Sequence, residues 1–234
     1  LNANFVFVTP SHQFPTGKIM PISRRIELLN WSTYSYDRYI VEDDYDSEFK
    51  YETDNIPSLQ SLDRNHRVIY TGTFSKTMLP GLRISYMVLP PDLLREYRRY
   101  YSDLMQSSNT LNLFTLHYFI ENGEYHRHVK RMNHYYETKR KILIGKLIQR
   151  FGDSIELEDV PAGLHFFAHF KSNKDYEQIE ERARIEKLEI YTMKRFMLNN
   201  KEKRENIIDL VIGFANIPEE KIDEAVDRLN RVFS

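Results

Sequence analysis

The sequence contains no cysteine among its 234 residues. This absence excludes disulfide bonds, thiolate nucleophiles and cysteine-ligated zinc, and it agrees with a reducing cytoplasm. No apolar run approaches the roughly 20 residues of a membrane-spanning helix, and the start of the chain shows no signal-peptide pattern. The GxGxxG and GxxxxGK phosphate loops and the HExxH zinc pattern are missing too. We therefore expect no membrane partner, assign no metal and expect a cytoplasmic protein.

An excess of one charge is also lacking. The 33 Lys and Arg residues nearly balance the 34 Asp and Glu residues, which leaves a formal net charge of -1. Such a chain has no global field that would attract nucleic acid or an anionic membrane. Its 41% hydrophobic and 29% charged residues suit one soluble globular unit or two small lobes.

The most informative stretch covers residues 68–89. A strand-like run ends in a polar turn that carries Lys76, and a second strand-like run follows over residues 84–89. Ligands of open α/β sheets bind outside the carboxyl ends of the strands, so Lys76 can reach a bound small molecule. Hydroxyl and guanidinium donors suited to a phosphate lie in the same stretch: Thr73, Ser75, Thr77 and Arg83. Taken alone, a lysine in such a turn is more often a solvated surface residue.

A second stretch, residues 39–49, favours a functional role for Lys76. Its β-branched strand also runs into polar residues, and this arrangement predicts Asp43 at the same edge of the sheet as Lys76. The two side chains are therefore candidates for one shared site.

Three segments carry a resemblance to a known family: residues 42–49 (EDDYDSEF), 71–86 (TGTFSKTMLPGLRISY) and 8–17 (VTPSHQFPTG). They resemble the carboxyl-terminal, aminotransferase-like domain of MocR/GabR-type transcriptional regulators of the GntR family, which has the fold-type I fold of class I and II aminotransferases. Residues 162–166, 193–196 and 212–215 extend this similarity more weakly.

The resemblance implies an α/β fold. We expect residues 1–140 to form part of a pyridoxal-phosphate-dependent transferase-like (fold-type I) large domain with a mostly parallel sheet. Residues 141–234 are expected to form a small carboxyl-terminal α/β lobe.

The resemblance also implies roles for individual side chains. Lys76 would form a Schiff base with pyridoxal 5'-phosphate, whose ring acts as an electron sink. Asp43 would hold a proton on the pyridine nitrogen, and Tyr45 would donate to the ring oxygen. The phosphate would be held by three further residues: Thr73, Ser75 and Arg83. Arg195 matches the position that binds an effector carboxylate in this family, although its short motif also fits an exposed surface cation.

One departure favours a sensor over a fast transaminase. Aminotransferases of the larger family carry an asparagine directly before Pro-Thr-Gly, where this sequence has Phe14 preceded by Gln13.

The implied function is an effector-sensing domain. It would bind an amino acid or amine as an external aldimine and control a winged-helix DNA-binding domain located amino-terminal to it. Homodimerisation is expected from the family. One alternative is an active class I aminotransferase, although full transamination turnover is not expected to be the main role. Another is a scaffold that no longer uses the cofactor.

Leu1 is not an initiator Met, and a strand begins almost at once. We expect an amino-terminal part with the glycine-rich phosphate loop and the ring-stacking aromatic in the complete protein. Without it, this chain should bind cofactor weakly or not at all.

Periodicity predicts the remaining elements. We expect a helix over residues 21–31, a helix capped by Asp92, another starting at Asn109 or Thr110, and a long helix over residues 124–150. The basic side of that long helix is interpreted as a solvated face rather than a DNA-binding surface. In the last third, we expect strands at 155–157, 164–170, 188–191 and 210–214, and helices at 175–187 and 218–232.

Overall fold

The structure is a computed structural model that describes residues 3–51, 57–104, 108–158, 161–197 and 204–234. The chain divides into two compact units. The first contains Leu1–Phe14 and Lys18–Met132, and the second contains Pro15–Gly17 and Asn133–Ser234. The domain boundary predicted between residues 140 and 141 stays a prediction.

The first unit contains a four-stranded sheet with the order β1-β2-β3-β4. Its strands are β1 (Phe5–Val8), β2 (Tyr39–Asp44), β3 (Val68–Thr73) and β4 (Ser85–Val88). The pairs β1-β2 and β2-β3 are parallel, and β3-β4 is antiparallel. Apolar side chains at Ile40, Leu59 and Val68 form a buried core against the sheet. The predicted sheet, mostly parallel, is confirmed.

Helices accompany these strands along the chain: α1 (Ile22–Thr33), α2 (Leu59–Leu62), α3 (Pro91–Tyr101), α4 (Thr110–Glu121) and α5 (Glu124–Phe151). The helix start predicted at Asn109 or Thr110 is confirmed, because α4 begins at Thr110 and the Asn109 side chain caps it by accepting a hydrogen bond from Asn112 N at 3.2 Å. The predicted cap at Asp92 is wrong. Helix α3 begins at Pro91, so Asp92 lies in its first turn, where it complements the helix dipole.

A buried ion pair ties together the loops of the first unit. The guanidinium of Arg25, on α1, has no exposed surface and donates to the carbonyl oxygens of Met20, Pro57 and Pro10 at 2.7–3.1 Å. Its charge partner, Glu42 on β2, lies 3.9 Å away. The Glu42 carboxylate also accepts from the first two backbone N–H groups of α2, each at 2.8 Å. Because nearly every donor and acceptor has a partner, burial of this pair is tolerated.

The second unit contains an antiparallel sheet with the order β5-β6-β8-β7. Its strands are β5 (Ile155–Glu158), β6 (His165–Lys171), β7 (Tyr191–Thr192) and β8 (Ile207–Gly213), and its helices are α6 (Tyr176–Ile185) and α7 (Ile222–Phe233). The predicted strand over 188–191 is wrong in its bounds, since β7 pairs with β8 only through two residues.

Aromatic rings pack together with aliphatic side chains in the core of this second unit. Phe170 on β6 stacks on Phe233 at 4.4 Å between ring centroids, and it meets Phe151 edge to face at 5.0 Å. Phe166, on the same side of β6, stacks on Phe214 at 6.2 Å. Such aromatic pairs add to the free energy of burial through their favourable ring geometry.

The predicted α/β class is confirmed. Helix α5 closely matches the long helix predicted over residues 124–150, beginning in the first unit and continuing in the second. Across the described ranges, no helix is both long enough and apolar enough to cross a membrane.

Candidate functional site

Three parallel strands of the first unit end at one edge of the sheet. Val8 at the end of β1 pairs with Glu42, and on the other side of β2 Asp43 pairs with Thr71 and Asp44 with Gly72. The loops that follow β1, β2 and β3 therefore leave the sheet side by side. The strand ends and these loops carry most of the site residues predicted from the sequence. This edge is the expected place for a ligand in an open α/β sheet.

Asp43 is a half-buried carboxylate at this edge. Thr71 Oγ1 lies 3.5 Å from its Oδ1, at the outer limit of a hydrogen bond. Burial raises the pKa of Asp43, and the neighbouring charges of Asp44 and Asp46 raise it further. Among the described residues, no cation makes a salt bridge to Asp43. A positively charged group placed opposite Asp43 would therefore be strongly stabilised.

Tyr45 follows Asp43 by two residues and is engaged with the loop after β1. Its hydroxyl donates to the carbonyl oxygen of His12 at 2.8 Å. Burial raises the pKa of Tyr45, and nearby carboxylates add to this rise, so the hydroxyl keeps its proton. Tyr45 is therefore a fixed donor at the sheet edge.

Lys76 lies in the loop after β3 with its side chain exposed. The loop itself is held firmly, because the backbone N–H of Phe74 donates to Ile84 O at 3.1 Å. Thr77, next to the lysine, is buried; its Oγ1 lies 3.1 Å from the hydroxyl of Tyr125, and its carbonyl accepts from His128 Nε2 at 2.8 Å. The structure thus combines a rigid backbone with an accessible amine, as a nucleophilic lysine requires.

The proposed phosphate ligands follow the same loop. Thr73 Oγ1 donates to Ile84 O at 3.3 Å and accepts from the backbone N–H of Ser75 at 3.1 Å. Arg83 follows the 3-10 turn Pro80–Leu82 and adopts a left-handed conformation with φ of 53°. A non-glycine residue in this region is strained by about 1 kcal/mol or more. The Arg83 side chain is exposed and makes no hydrogen bond or salt bridge within the described part of the chain.

Two tyrosines, Tyr70 and Tyr86, pack next to the carboxyl ends of β2 and β3. Tyr70 donates its hydroxyl proton to Asp44 Oδ2 at 2.5 Å, and burial together with this bond raises the pKa of Tyr70. The ring of Tyr86 covers Gly72, where an added Cβ would lie only 2.4 Å from a ring atom. A side chain at position 72 would therefore require the Tyr86 ring to move.

Sequence reasoning missed several polar residues of this edge. His12 and Asp46 form a buried pair, with Nδ1 and Oδ2 separated by 2.9 Å, although 34 residues separate them in the chain. Tyr70 and Tyr125 were likewise not predicted to take part. The available signal was modest: His12 and Asp46 both lie inside the segments that carry the family resemblance.

Arg195 lies in the second unit. It belongs to the 3-10 turn Met193–Phe196, is exposed, and places its guanidinium 5.2 Å from the ring centroid of Tyr191. That stacking leaves the donor edge of the guanidinium accessible to an anion. Its proposed part in effector binding stays a prediction.

The second unit also holds a polar cluster of its own on β6. His169 Nδ1 lies 2.6 Å from Asp209 on β8, and Nε2 lies 3.3 Å from Glu158 on β5. Arg204 approaches the same aspartate at 3.2 Å. These contacts link three neighbouring chain segments, which fits a structural role.

The Aminotransferase class I and II family matches residues 2–229. Among proteins of known sequence, the chain is 38% identical over 226 residues to the "Uncharacterized HTH-type transcriptional regulator YdeL" of Bacillus subtilis, covering 97% of this chain and 48% of YdeL. It is 30% identical to the "Probable rhizopine catabolism regulatory protein MocR" of Rhizobium meliloti, covering 97% of this chain and 45% of MocR. The chain thus spans about half the length of these relatives. The resemblance to MocR-type regulators is confirmed.

Solved structures agree with the fold. The kynurenine aminotransferase of Pyrococcus horikoshii superposes with a TM-score of 0.83 at 25% identity, over 98% of this chain and 56% of that protein. LysN, the α-aminoadipate aminotransferase of Thermus thermophilus, superposes with a TM-score of 0.80 at 27% identity, over 98% and 58%. LysN was solved with N-(5'-phosphopyridoxyl)-L-leucine. With a match that extends over nearly its whole length, the chain belongs to the Aminotransferase class I and II family.

Proposed function

We propose that this chain is the effector-sensing, aminotransferase-like domain of a pyridoxal-phosphate-dependent transcriptional regulator. The observation that carries the proposal is the placement of Lys76 and Asp43. The exposed Lys76 follows β3, and the half-buried Asp43, which has no cation partner among the described residues, lies near the end of the neighbouring parallel strand β2. The similarity to HTH-type regulators about twice as long supports the regulatory role.

The residues at the sheet edge fit pyridoxal 5'-phosphate. A protonated pyridine nitrogen would supply the cation that Asp43 lacks among the described residues. The Tyr45 hydroxyl, which donates to His12 O in this structure, would turn its proton to the ring oxygen. The phosphate would bind three donors of one loop: Thr73, Ser75 and Arg83. When bound to a lysine amine, this cofactor supplies an electron sink for the carbon attached to the nitrogen.

Lys76 would be the point at which an effector acts. An amino acid or amine would compete with the Lys76 amine for its covalent partner, and Arg195 would hold the carboxylate of an amino-acid effector through a bidentate pair. Release of the Lys76 amine changes the charge at the sheet edge. That change would favour one conformation of the domain over another and so bias DNA binding.

The remaining parts of the proposal concern the complete protein. DNA would be bound by an amino-terminal winged-helix domain, since the balanced charge of this chain offers no general attraction for DNA. We further infer that the complete protein is a homodimer and acts in the cytoplasm, as expected for a regulator of this family. Because half of the relatives' length lies outside this chain, we expect the isolated chain to bind the cofactor weakly or not at all.

Borohydride reduction of the complete protein, followed by peptide mass mapping, tests the central claim. A pyridoxyl group should be found on the peptide that contains Lys76. Lys76→Ala should abolish both the modification and the effector response in a reporter assay while leaving the circular dichroism spectrum unchanged. Lys130→Ala, which removes an exposed lysine of α5, is the matched control. A Lys76→Ala protein that still responds to effector would refute the mechanism.

A second candidate function is an active aminotransferase. The chain is 26% identical over 96% of its length to aromatic-amino-acid aminotransferase 1 of Thermococcus litoralis, and it superposes on solved aminotransferases. In that case Lys76 would also carry protons between neighbouring carbons. Steady turnover of an amino acid with a keto acid by the complete protein would favour this function over sensing.

A further inference from the structure

His12 and Asp46 form a buried ionisable pair beside the candidate site. Only 1% of His12 and 2% of Asp46 is exposed, and His12 Nδ1 lies 2.9 Å from Asp46 Oδ2, within hydrogen-bond distance. His12 comes from the loop after β1, whereas Asp46 lies two residues after β2. Burying two such groups is expensive unless they are hydrogen-bonded to each other, so their pairing constrains both loops.

Tyr45 is bound to the same histidine by a different atom. Its hydroxyl donates to the carbonyl oxygen of His12 at 2.8 Å and lies 3.5 Å from His12 Nδ1. Asp46 therefore holds the side chain of His12, and Tyr45 holds its main chain. A shift of His12 would disturb both bonds, so the position of the Tyr45 hydroxyl depends on the pair.

Asp46 also responds to the charge of Lys76. Burial raises the pKa of Asp46, whereas its contact with His12 and the positive charge of Lys76 lower it. Its second oxygen, Oδ1, is buried and has no hydrogen-bond partner among the described residues. The titratable groups that act on Asp46 or feel its charge come from β2 and from the loops after β1, β2 and β3: His12, Asp43, Asp44, Tyr45, Glu48 and Lys76.

We propose that the His12–Asp46 pair is the positioning device of this site, which fixes the Tyr45 hydroxyl and places a negative charge close enough to act on the Lys76 nitrogen. The inference rests on the proposed function and deepens it. Neither residue needs to touch the cofactor. Asp46 acts through space on Lys76, and His12 keeps Asp46 ionised by donating to it.

A purely structural role would also explain a buried pair, and a pH titration separates the two. The complete protein is loaded with pyridoxal 5'-phosphate, and the visible absorbance of the bound cofactor is followed against pH. An anion near a protonated nitrogen strengthens its hold on the proton. In Asp46→Asn the proton of the Lys76 nitrogen should therefore be lost at lower pH, with a proton affinity reduced about tenfold, which corresponds to one pKa unit.

Substitutions of His12 give a second, independent measurement. His12→Leu leaves Asp46 buried without its donor, so the carboxyl should take up a proton and the titration should shift as in Asp46→Asn. His12→Asn keeps an amide donor close to the position of Nδ1, and its titration should resemble that of the wild type. This second measurement decides the proposal if Asp46→Asn fails to fold. His126→Asn and Asp92→Asn, both at exposed helical positions, are the matched controls.

The outcomes are distinguishable. If the wild-type complete protein does not attach the cofactor at Lys76, the proposed function fails and this inference fails with it. If the wild type attaches the cofactor but folded Asp46→Asn or His12→Leu titrates like the wild type, the inference alone is overturned. A shift in both variants, with recovery in His12→Asn, supports it.

Discussion

The interior of the first unit is charged near the carboxyl edge of its sheet, whereas the second unit combines an apolar core of aliphatic and aromatic side chains with a separate polar cluster around His169 and Asp209. Arg25, Glu42, Asp44 and Asp46 are all buried in the first unit. In the second unit Phe166, Phe170 and Phe214 occupy the corresponding depth, with 1% or less of each exposed. Buried charges demand specific partners, while packed rings need only shape.

This difference indicates where each unit gains its stability. Ring packing lowers the free energy of the folded second unit directly through burial of apolar area. In the first unit, the interactions of each buried charge must first offset the free-energy cost of its desolvation. The charged edge therefore fixes the positions of side chains more than it stabilises the fold. A site that must present a lysine and an aspartate to a ligand requires such positions. Three substitutions test this comparison.

The largest effect is expected at the aromatic core. Phe170→Ala should lower the free energy of unfolding by about 4 kcal/mol, because a fully buried ring is replaced by a cavity. Urea denaturation followed by circular dichroism measures this loss. Phe114→Ala is the control, since 58% of Phe114 is exposed, and it should change stability by no more than about 0.5 kcal/mol. Equal losses in the two variants would contradict the importance of this aromatic core.

A somewhat smaller loss is expected at the charged interior. Arg25→Met should lower the free energy of unfolding by about 3 kcal/mol, because Glu42 is left buried without its cation. The carbonyl oxygens of Met20, Pro57 and Pro10 also lose their donor. The neighbouring Arg24→Met is a matched control, since Arg24 is exposed and pairs only with Glu27 on the surface. A neutral Arg25→Met variant would show that the first unit tolerates an apolar interior there.

The smallest effect, and one of opposite sign, is expected at Asp43. Burial raises the pKa of Asp43 in the folded chain. Asp43 therefore stabilises the folded state at a pH below the ordinary aspartate pKa, and this contribution is lost as the pH rises through the raised pKa. Asp43→Asn cannot ionise. In the absence of cofactor it should therefore be slightly more stable than the wild type at neutral pH and equally stable at acid pH. Urea midpoints measured across this pH range provide the test.

Asp37 is the control for the direction of this stability change. Hydrogen bonding by Ser35 lowers the pKa of the exposed Asp37, so its contribution is present above the ordinary aspartate range and is lost as pH falls. Asp37→Asn should therefore reduce stability at neutral pH. If both asparagine variants changed stability in the same direction at neutral pH, the conclusion that burial of the Asp43 carboxylate opposes folding would be wrong.

Local patterns predicted the elements that depend on neighbouring residues. The long helix α5 and the Asn109 cap follow from periodicity and from a side chain that bonds three residues ahead. The positions of Asp43 and Lys76 at strand ends were likewise predictable, because each follows a β-branched run. Their roles, with those of Tyr45, Thr73, Ser75, Arg83 and Arg195, stay predictions.

The sequence by itself determined the family, the α/β class and which loops carry the candidate residues, since all of these depend on short contiguous motifs. Only the tertiary structure decided that Arg25 is buried, because the sequence pattern of α1 is equally compatible with a surface arginine. It likewise decided that His12 meets Asp46 and that Tyr125 meets Thr77, 34 and 48 residues away along the chain. Contacts of that range depend on how separate strands and helices pack, which no local pattern specifies.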